Sequence, residues 1–268
     1  MKDKSKKILL IIVAVVLIAI CGLLVVQYIR ALTQDVKNPM LTLEIENYGN
    51  VKIELYPEYA PNTVKNIIKL VENGYYDGKV LYGTDEISVY VGRNSEGEID
   101  YPKLSTLDKE VLSEEDYEYE INGEFVANGF ENNILRHEKG IVSIIRADYT
   151  QMLGNTLQEQ SYNSGSSQFT ILTEDARNLN GIYAAFGKVI EGMDVIEKIY
   201  SLEKEVAETE GEENDETSSI EKFVSMPTIT KATVDTFGVN YGYPEVHEAF
   251  DYEGYLQQVL SQYYTTQQ

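Results

Sequence analysis

Tryptophan is absent from this chain, cysteine occurs once and histidine twice. The lone cysteine, Cys21, excludes an intrachain disulfide and a cysteine-ligated metal cluster. With His137 and His247 as the only histidines, a zinc site lacks ligands, and no metal or cofactor is expected. Basic residues are scarce: 22 Lys and Arg stand against 44 Asp and Glu in 268 residues. Five of those bases (Lys2, Lys4, Lys6, Lys7, Arg30) and one acid (Asp3) fall in the first thirty positions. Residues 31–268 are left with 17 bases against 43 acids, a net of −26. So acidic a domain repels nucleic acid and anionic lipid, so no nucleic-acid partner is expected. The acids themselves read as a solvated surface.

Long apolar runs are also missing, with one exception. Residues 1–7 are short and basic, and Ile8–Val26 then gives 19 uncharged residues, enough to cross a bilayer as a helix. The preceding lysines place the N-terminus in the cytoplasm and residues 31–268 outside. A cleaved signal peptide has a shorter apolar core and a small-residue cleavage site, whereas Leu23, Leu24, Val25 and Val26 continue past the small residues here. An uncleaved single-pass anchor over 8–26 with a stalk over 27–38 is therefore expected.

The folded part opens with alternation. Leu41, Leu43 and Ile45 share one face, Val51, Ile53 and Leu55 another, and Tyr48-Gly49-Asn50 supplies the turn between them. This pattern predicts a hairpin over 41–55. Tyr56-Pro57 breaks the second strand. A helix is expected from about Asn62, with Pro61 at its start and Asn62 or Thr63 as cap. Val64, Ile67, Ile68 and Val71 follow at helical spacing, and Asn73-Gly74 is the stop. Residues 94–120 are acidic and read as a solvated loop, and 147–163 as another. Met193, Val195, Ile196 and Ile199 predict a second helix over 192–200. Residues 203–219 hold eight acids and one lysine with no apolar period, and are expected to be disordered. Alternation returns at 228–234. In the tail, 239–268, Tyr252, Tyr255, Leu256, Val259 and Tyr263 share one helical face, expected to pack on its own domain.

The stretch from Asn163 to Gly187 is the most distinctive. A small polar run, Ser164–Ser167, leads into Gln168-Phe169-Thr170-Ile171, then Asn180-Gly181, then Phe186-Gly187. It resembles the signature of the cyclophilin-type peptidyl-prolyl isomerases, in which G-S-Q-F-F-I precedes L-D-G and V-F-G. The block from Gly49 to Gly78 is similar to the opening of bacterial members, and Tyr119–Phe125, Leu135–Glu138 and Gly140–Ser143 follow in the same order. The resemblance covers most of 41–237. It implies a mainly β domain over 39–238, a closed eight-stranded antiparallel barrel capped by two helices.

Prolyl isomerisation is slow because amide resonance must be broken, against a barrier of roughly 18–20 kcal/mol. A catalyst needs an apolar pocket for the ring, groups that hold the flanking backbone, and a donor that favours the twisted amide. The resemblance implies that an arginine in F-H-R-V is that donor. Here Tyr82 takes the histidine position and Gly83 the arginine position, and glycine has no side chain to donate. Ser88 and Val89 replace an apolar pocket pair and Val91 a glutamine. Gln168 is kept, whereas Thr170 replaces a pocket phenylalanine. Leu179 and Phe186 match pocket or pocket-wall positions, and Tyr183 takes a later histidine position. Ile145 and Arg146 complete the implied peptide contacts. Arg93 and Arg146 are the arginines in matching segments that could replace the donor. Two functions compete: a membrane-anchored, extracytoplasmic isomerase of weak activity that assists exported proline-containing or unfolded polypeptides, and a catalytically silent module that holds peptides or a membrane partner.

Overall fold

The computed structural model describes residues 13, 15–17, 19–25, 37–108, 110–111, 115–150, 154–206 and 220–266. The chain divides into two units, residues 1–37 and 38–268. In the first, residues 13, 15–17 and 19–25 are helical. Among the described residues no helix is long and apolar enough to cross a membrane. The rest of the expected 8–26 span, and residues 27–36 of the expected stalk, lie outside them.

The second unit begins as the alternation predicts. Strands β1 (Met40–Ile45) and β2 (Gly49–Leu55) pair antiparallel. Leu41 sits opposite Ile53 and Leu43 opposite Val51, so all four side chains enter one core with no exposure. Helix α1 (Pro61–Glu72) buries Val64, Ile67, Ile68 and Val71, each worth roughly 1.5–3 kcal/mol of transfer free energy. Its cap is not local. Asn62 and Thr63 do not cap it. Instead the Glu124 carboxylate, more than sixty residues away, accepts the Asn62 and Thr63 N–H groups and the Thr63 hydroxyl, each at 2.8 Å. A carboxylate there satisfies orphan donors and the helix dipole together, although burial still raises its pKa.

Strands β3 (Val80–Thr84) and β4 (Ser88–Arg93) follow. The acidic segment 94–120 is more than a solvated loop. It contains a one-turn helix α2 (Leu104–Leu107) and strand β5 (Tyr119–Glu120), and it buries Leu107, Tyr119 and Glu120. After β6 (Ile141–Ile144), the expected loop 147–163 contains a 3-10 turn and helix α3 (Gln158–Tyr162). Then come β7 (Phe169–Leu172), β8 (Ala185–Glu191), α4 (Met193–Tyr200), β9 (Lys204–Val206), β10 (Glu221–Phe223) and β11 (Ile229–Asp235). Of the segment expected to be disordered, Lys204–Val206 is thus a strand, and residues 207–219 lie outside the described residues. The tail adds β12 (His247–Glu248), paired with β5, and α5 (Tyr252–Thr266).

The main sheet corrects the expected strand count and closure. Among the described residues it has ten strands in the order β11-β1-β2-β8-β6-β7-β4-β3-β10-β9, and no continuous ladder closes it. β3 and β11 meet only through an isolated Val80–Thr228 bridge and short backbone bonds such as Leu81 N–H to Pro227 O at 2.9 Å. Helix α1 packs on β11 and α4 on β2. Tyr76, Phe169 and Phe186 stack edge-to-face in the core.

Candidate active site

The polar run before β7 is buried and fully engaged. Asn66 donates to Ser166 O at 2.6 Å, Tyr76 to Ser167 O at 2.6 Å, and Ser166 to Tyr119 O at 2.9 Å. Small residues are needed here because two core side chains, Asn66 and Tyr76, reach their backbone. The run thereby fixes Gln168 at the mouth of β7, half-buried, with its carbonyl accepting Ile145 N–H at 2.9 Å.

Strand register sorts the neighbours of Gln168 onto two faces. Directly opposed residues of an antiparallel pair share a face. Val89 opposes Ile171 and Val91 opposes Phe169, and all four are buried in the core. Tyr90 opposes Thr170, and both are half-buried on the outer face. Val89 is therefore a core residue, not a peptide contact, and so is Val91. Tyr90 thus sets an aromatic ring across the ladder from Thr170. The valines of Ser88-Val89-Tyr90-Val91 already signal this, because alternation buries the valines and turns the tyrosine outward. Phe186 is likewise in the core, without exposure. Ser88 is buried opposite Leu172, and its carbonyl accepts the Thr84 hydroxyl. Leu179 packs with Ile141, Leu172, Ala176 and Ala185 in a separate small cluster.

Register shifts place the residues that matter most. Between Leu81 and Gly83 the β3–β4 ladder slips, leaving Tyr82 unopposed. Tyr82 leaves the inner core but is still buried, packed with Val80 and Ile220 and 5.7 Å from the Tyr90 ring, so it supports this face from beneath and is not the exposed peptide contact expected. A second slip at Gly92 carries Arg93 back over that surface. Gly92 has φ +113°, and a Cβ there would lie 3.3 Å from the Gln168 Cα; only glycine allows this approach. The Arg93 guanidinium consequently sits 4.1 Å over the Tyr82 ring. Its Nε donates to Gln168 Oε1 at 3.4 Å and a terminal nitrogen to Gly97 O at 3.2 Å.

Gly83 is sealed. Strand β10 pairs with β3 there, and a Cβ on Gly83 would meet Glu221 O at 2.7 Å and Ile220 Cγ2 at 2.9 Å. Glycine is required by this contact, so the position holds no side chain for a steric reason as well as a chemical one. Beside it, a cleft of about 560 Å3 lies between the β3–β4 turn and the β9–β10 hairpin. Asp85, Glu86, Ile87, Tyr200, Lys204 and Glu221 line it, and Lys204 already lies 4.5 Å over the Tyr200 ring.

Burial raises the pKa of the Tyr90 hydroxyl, and the nearby Asp85 carboxylate, which accepts its hydrogen bond at 3.0 Å, adds to the rise. Burial also raises Tyr82, against the opposing pull of Arg93. Both are neutral phenols at physiological pH. On the far side, the Arg146 guanidinium lies 4.7 Å from the Tyr183 ring and 5.1 Å from that of Tyr162, and half-buried Ile145 precedes it. His137 is structural. Its Nε2 pairs with the Ser143 hydroxyl at 3.0 Å and its Nδ1 lies 3.3 Å from Asn180 Oδ1. Among the described residues no group of His, Cys, Asp and Glu could hold a metal ion.

The outer face thus collects Arg93, Gln168, Tyr82, Tyr90 and Thr170 in one network. Residues 40–225 match the family described as cyclophilin type peptidyl-prolyl cis-trans isomerase/CLD. The chain is 30% identical over 150 residues to peptidyl-prolyl cis-trans isomerase B of Bacillus subtilis, covering 56% of this chain and 82% of that protein. It is 29% identical over 167 residues to a peptidyl-prolyl cis-trans isomerase of Acinetobacter baylyi, covering 58% and 69%. A crystal structure of a cyclophilin-type isomerase from Cryptosporidium parvum superposes with a TM-score of 0.52 at 18% identity, over 74% of this chain and 97% of that one, a likeness of fold. With more than half its length matched and the signature strand built into the same sheet as its outer-face network, the chain belongs to the cyclophilin-type peptidyl-prolyl cis-trans isomerase family.

Proposed function

We propose that the outer face of β3, β4 and β7 catalyses prolyl cis–trans isomerisation with Arg93 as the donor. The observation that carries this is the Arg93–Gln168 contact over the Tyr82 ring. Twisting the prolyl amide localises the nitrogen lone pair, and an N–H donor aimed at that nitrogen stabilises the twisted state alone. Stacking on Tyr82 and the bonds to Gln168 and Gly97 hold the guanidinium in place before substrate arrives. Such preorganisation is what an electrostatic catalyst requires. Tyr90, Thr170 and Tyr183 provide the semi-apolar wall for the proline ring, and the Gln168 amide aligns the adjoining backbone. Thr170 leaves that wall thinner than a phenylalanine would, which fits a modest rate.

The substrates in this reading are proline-containing segments of exported or unfolded polypeptides. The uncharged run Ile8–Val26 behind a lysine cluster supports a single-pass anchor, with residues 31–268 on the extracytoplasmic side. Protease shaving of intact cells tests that placement; a domain resistant until the cells are lysed overturns it. Exchange spectroscopy on a proline peptide tests the activity. The full chain should accelerate cis–trans exchange, and a rate equal to the uncatalysed one overturns the reading.

A second reading rests on Gly83. With the expected donor position sealed by β10, the face would hold proline segments without turning them over. Peptide binding without acceleration is its signature.

A further inference from the structure

All seven ion pairs among the described residues are made by lysines. The 38–268 unit has four arginines, Arg93, Arg136, Arg146 and Arg177. Arg136 and Arg177 are exposed, and the two half-buried ones are Arg93 and Arg146. Among the described residues neither pairs with a carboxylate, in a domain where acids outnumber bases more than twofold. Arg93 is committed to Gln168 and Gly97. Arg146 is not: among the described residues only its Nε donates a hydrogen bond, to Ile182 O at 3.4 Å. Three rings surround its guanidinium, Tyr183 at 4.7 Å, Tyr162 at 5.1 Å and Phe125 at 5.8 Å.

Aromatic contact of this kind fixes the guanidinium without neutralising it. Its terminal nitrogens keep their donors in a planar fork with no protein acceptor among the described residues. A fork held still and partly stripped of water is matched to a carboxylate, which it can bind through two parallel bonds. The strand that leads to it, β6, runs beside β7: Ser143 opposes Thr170 and the Ile145 N–H donates to Gln168 O at 2.9 Å, so the fork flanks the wall proposed for the proline ring. The negative field of the whole domain opposes an acidic ligand, but that field decays over about 8 Å at physiological salt, and at contact the fork dominates.

We propose that Arg146 is a specificity-determining anchor for a carboxylate on the polypeptide substrate, a glutamate or aspartate close to the proline. This rests on the outer face binding proline segments as described above. The test uses the full chain and short proline peptides carrying Glu, Gln or Lys at single positions on either side of the proline. At one of those positions the Glu peptide should have a kcat/KM about fivefold above its Gln counterpart, the size of one partly exposed charge pair, and the gain should lie in KM. Arg146→Gln should abolish that preference and Arg146→Lys retain part of it. Equal values for Glu and Gln at every position, or a preference that survives Arg146→Gln, overturns the proposal. If Arg146→Gln loosens the fold, the Glu-against-Gln comparison in the unaltered chain decides alone. Failure to turn over even the neutral peptides would instead count against the isomerase reading. Binding titrations with the same series then decide the anchor, and equal affinities overturn it.

Discussion

On the inner face of β3, β4 and β7, Leu81, Val89, Val91, Phe169 and Ile171 are each fully buried. On the outer face of the same strands lie Tyr82, Gly83, Tyr90, Gln168 and Thr170, a mixture of rings, amide, hydroxyl and bare backbone. The inner face obeys one rule, apolar and close-packed. The outer face is shaped by two ladder slips and by a strand pair, β9 and β10, laid against its edge. The inner face therefore fixes the fold, while the outer face sets an arginine from the end of β4 against Gln168 and a tyrosine from its middle opposite Thr170.

The sharpest way to break this contrast is to cut one side chain on each face. Phe186→Ala should cost about 3–5 kcal/mol of stability, as large-to-small changes in a packed core do, read as a fall in the denaturation midpoint. Arg93→Ala should leave stability nearly unchanged and lower kcat/KM about 100-fold, the usual effect of removing one preorganised donor. If Arg93→Ala instead unfolds the chain while Phe186→Ala is benign, the two faces have been assigned the wrong way round.

Gly83→Arg sharpens the role of β10. In the native chain the new side chain collides with Glu221 O and Ile220, so it should destabilise by about 1–3 kcal/mol, as overpacking does, and add no activity. With Lys204–Phe223 replaced by a short Gly-Ser linker the same substitution should be tolerated. Equal tolerance in both backgrounds would mean that the strand does not seal the position.

Two buried titratable groups extend the comparison to pH, with opposite signs. Glu120 is 2% exposed, and among the described residues its carboxylate accepts one hydrogen bond, from Phe250 N–H at 3.2 Å. Burial pushes its pKa to about 7. Between about 4.5 and 7 the unfolded chain releases this proton and the folded chain keeps it. The stabilisation is therefore complete below pH 4.5, declines through this window and is lost above it. By linkage the swing is about 3 kcal/mol, and Glu120→Gln should remove it from a plot of melting temperature against pH. His137 runs the other way. Burial lowers its pKa against the pull of Asn180, so the unfolded chain protonates first. Its contribution is present above about pH 6.5 and falls as the pH drops below that value, the smallest effect expected here. A melting temperature in His137→Gln that falls as steeply on acidification as in the unaltered chain would contradict this.

Much of the inner face was legible in the sequence. Leu41–Leu55, Val64–Val71, Met193–Ile199 and the strand at Ile229 follow from period and breakers alone. What was not legible depends on partners distant along the chain. The cap of α1 comes from Glu124. Lys204–Val206, read as disordered from its acids, pairs with β10 instead. The slips at Tyr82 and Gly92 leave no mark in the sequence, so the resemblance points to Val89 at the site and not to Tyr90. Helical and strand periods report a residue's own element; bulges and strand neighbours are set by the rest of the molecule.

The most direct measurement is cis–trans exchange of a proline peptide with the full chain, unaltered and as Arg93→Ala, under one set of conditions. Acceleration by the unaltered chain and a roughly 100-fold loss in the variant is the result expected if Arg93 is the donor. Acceleration that survives the substitution would contradict it.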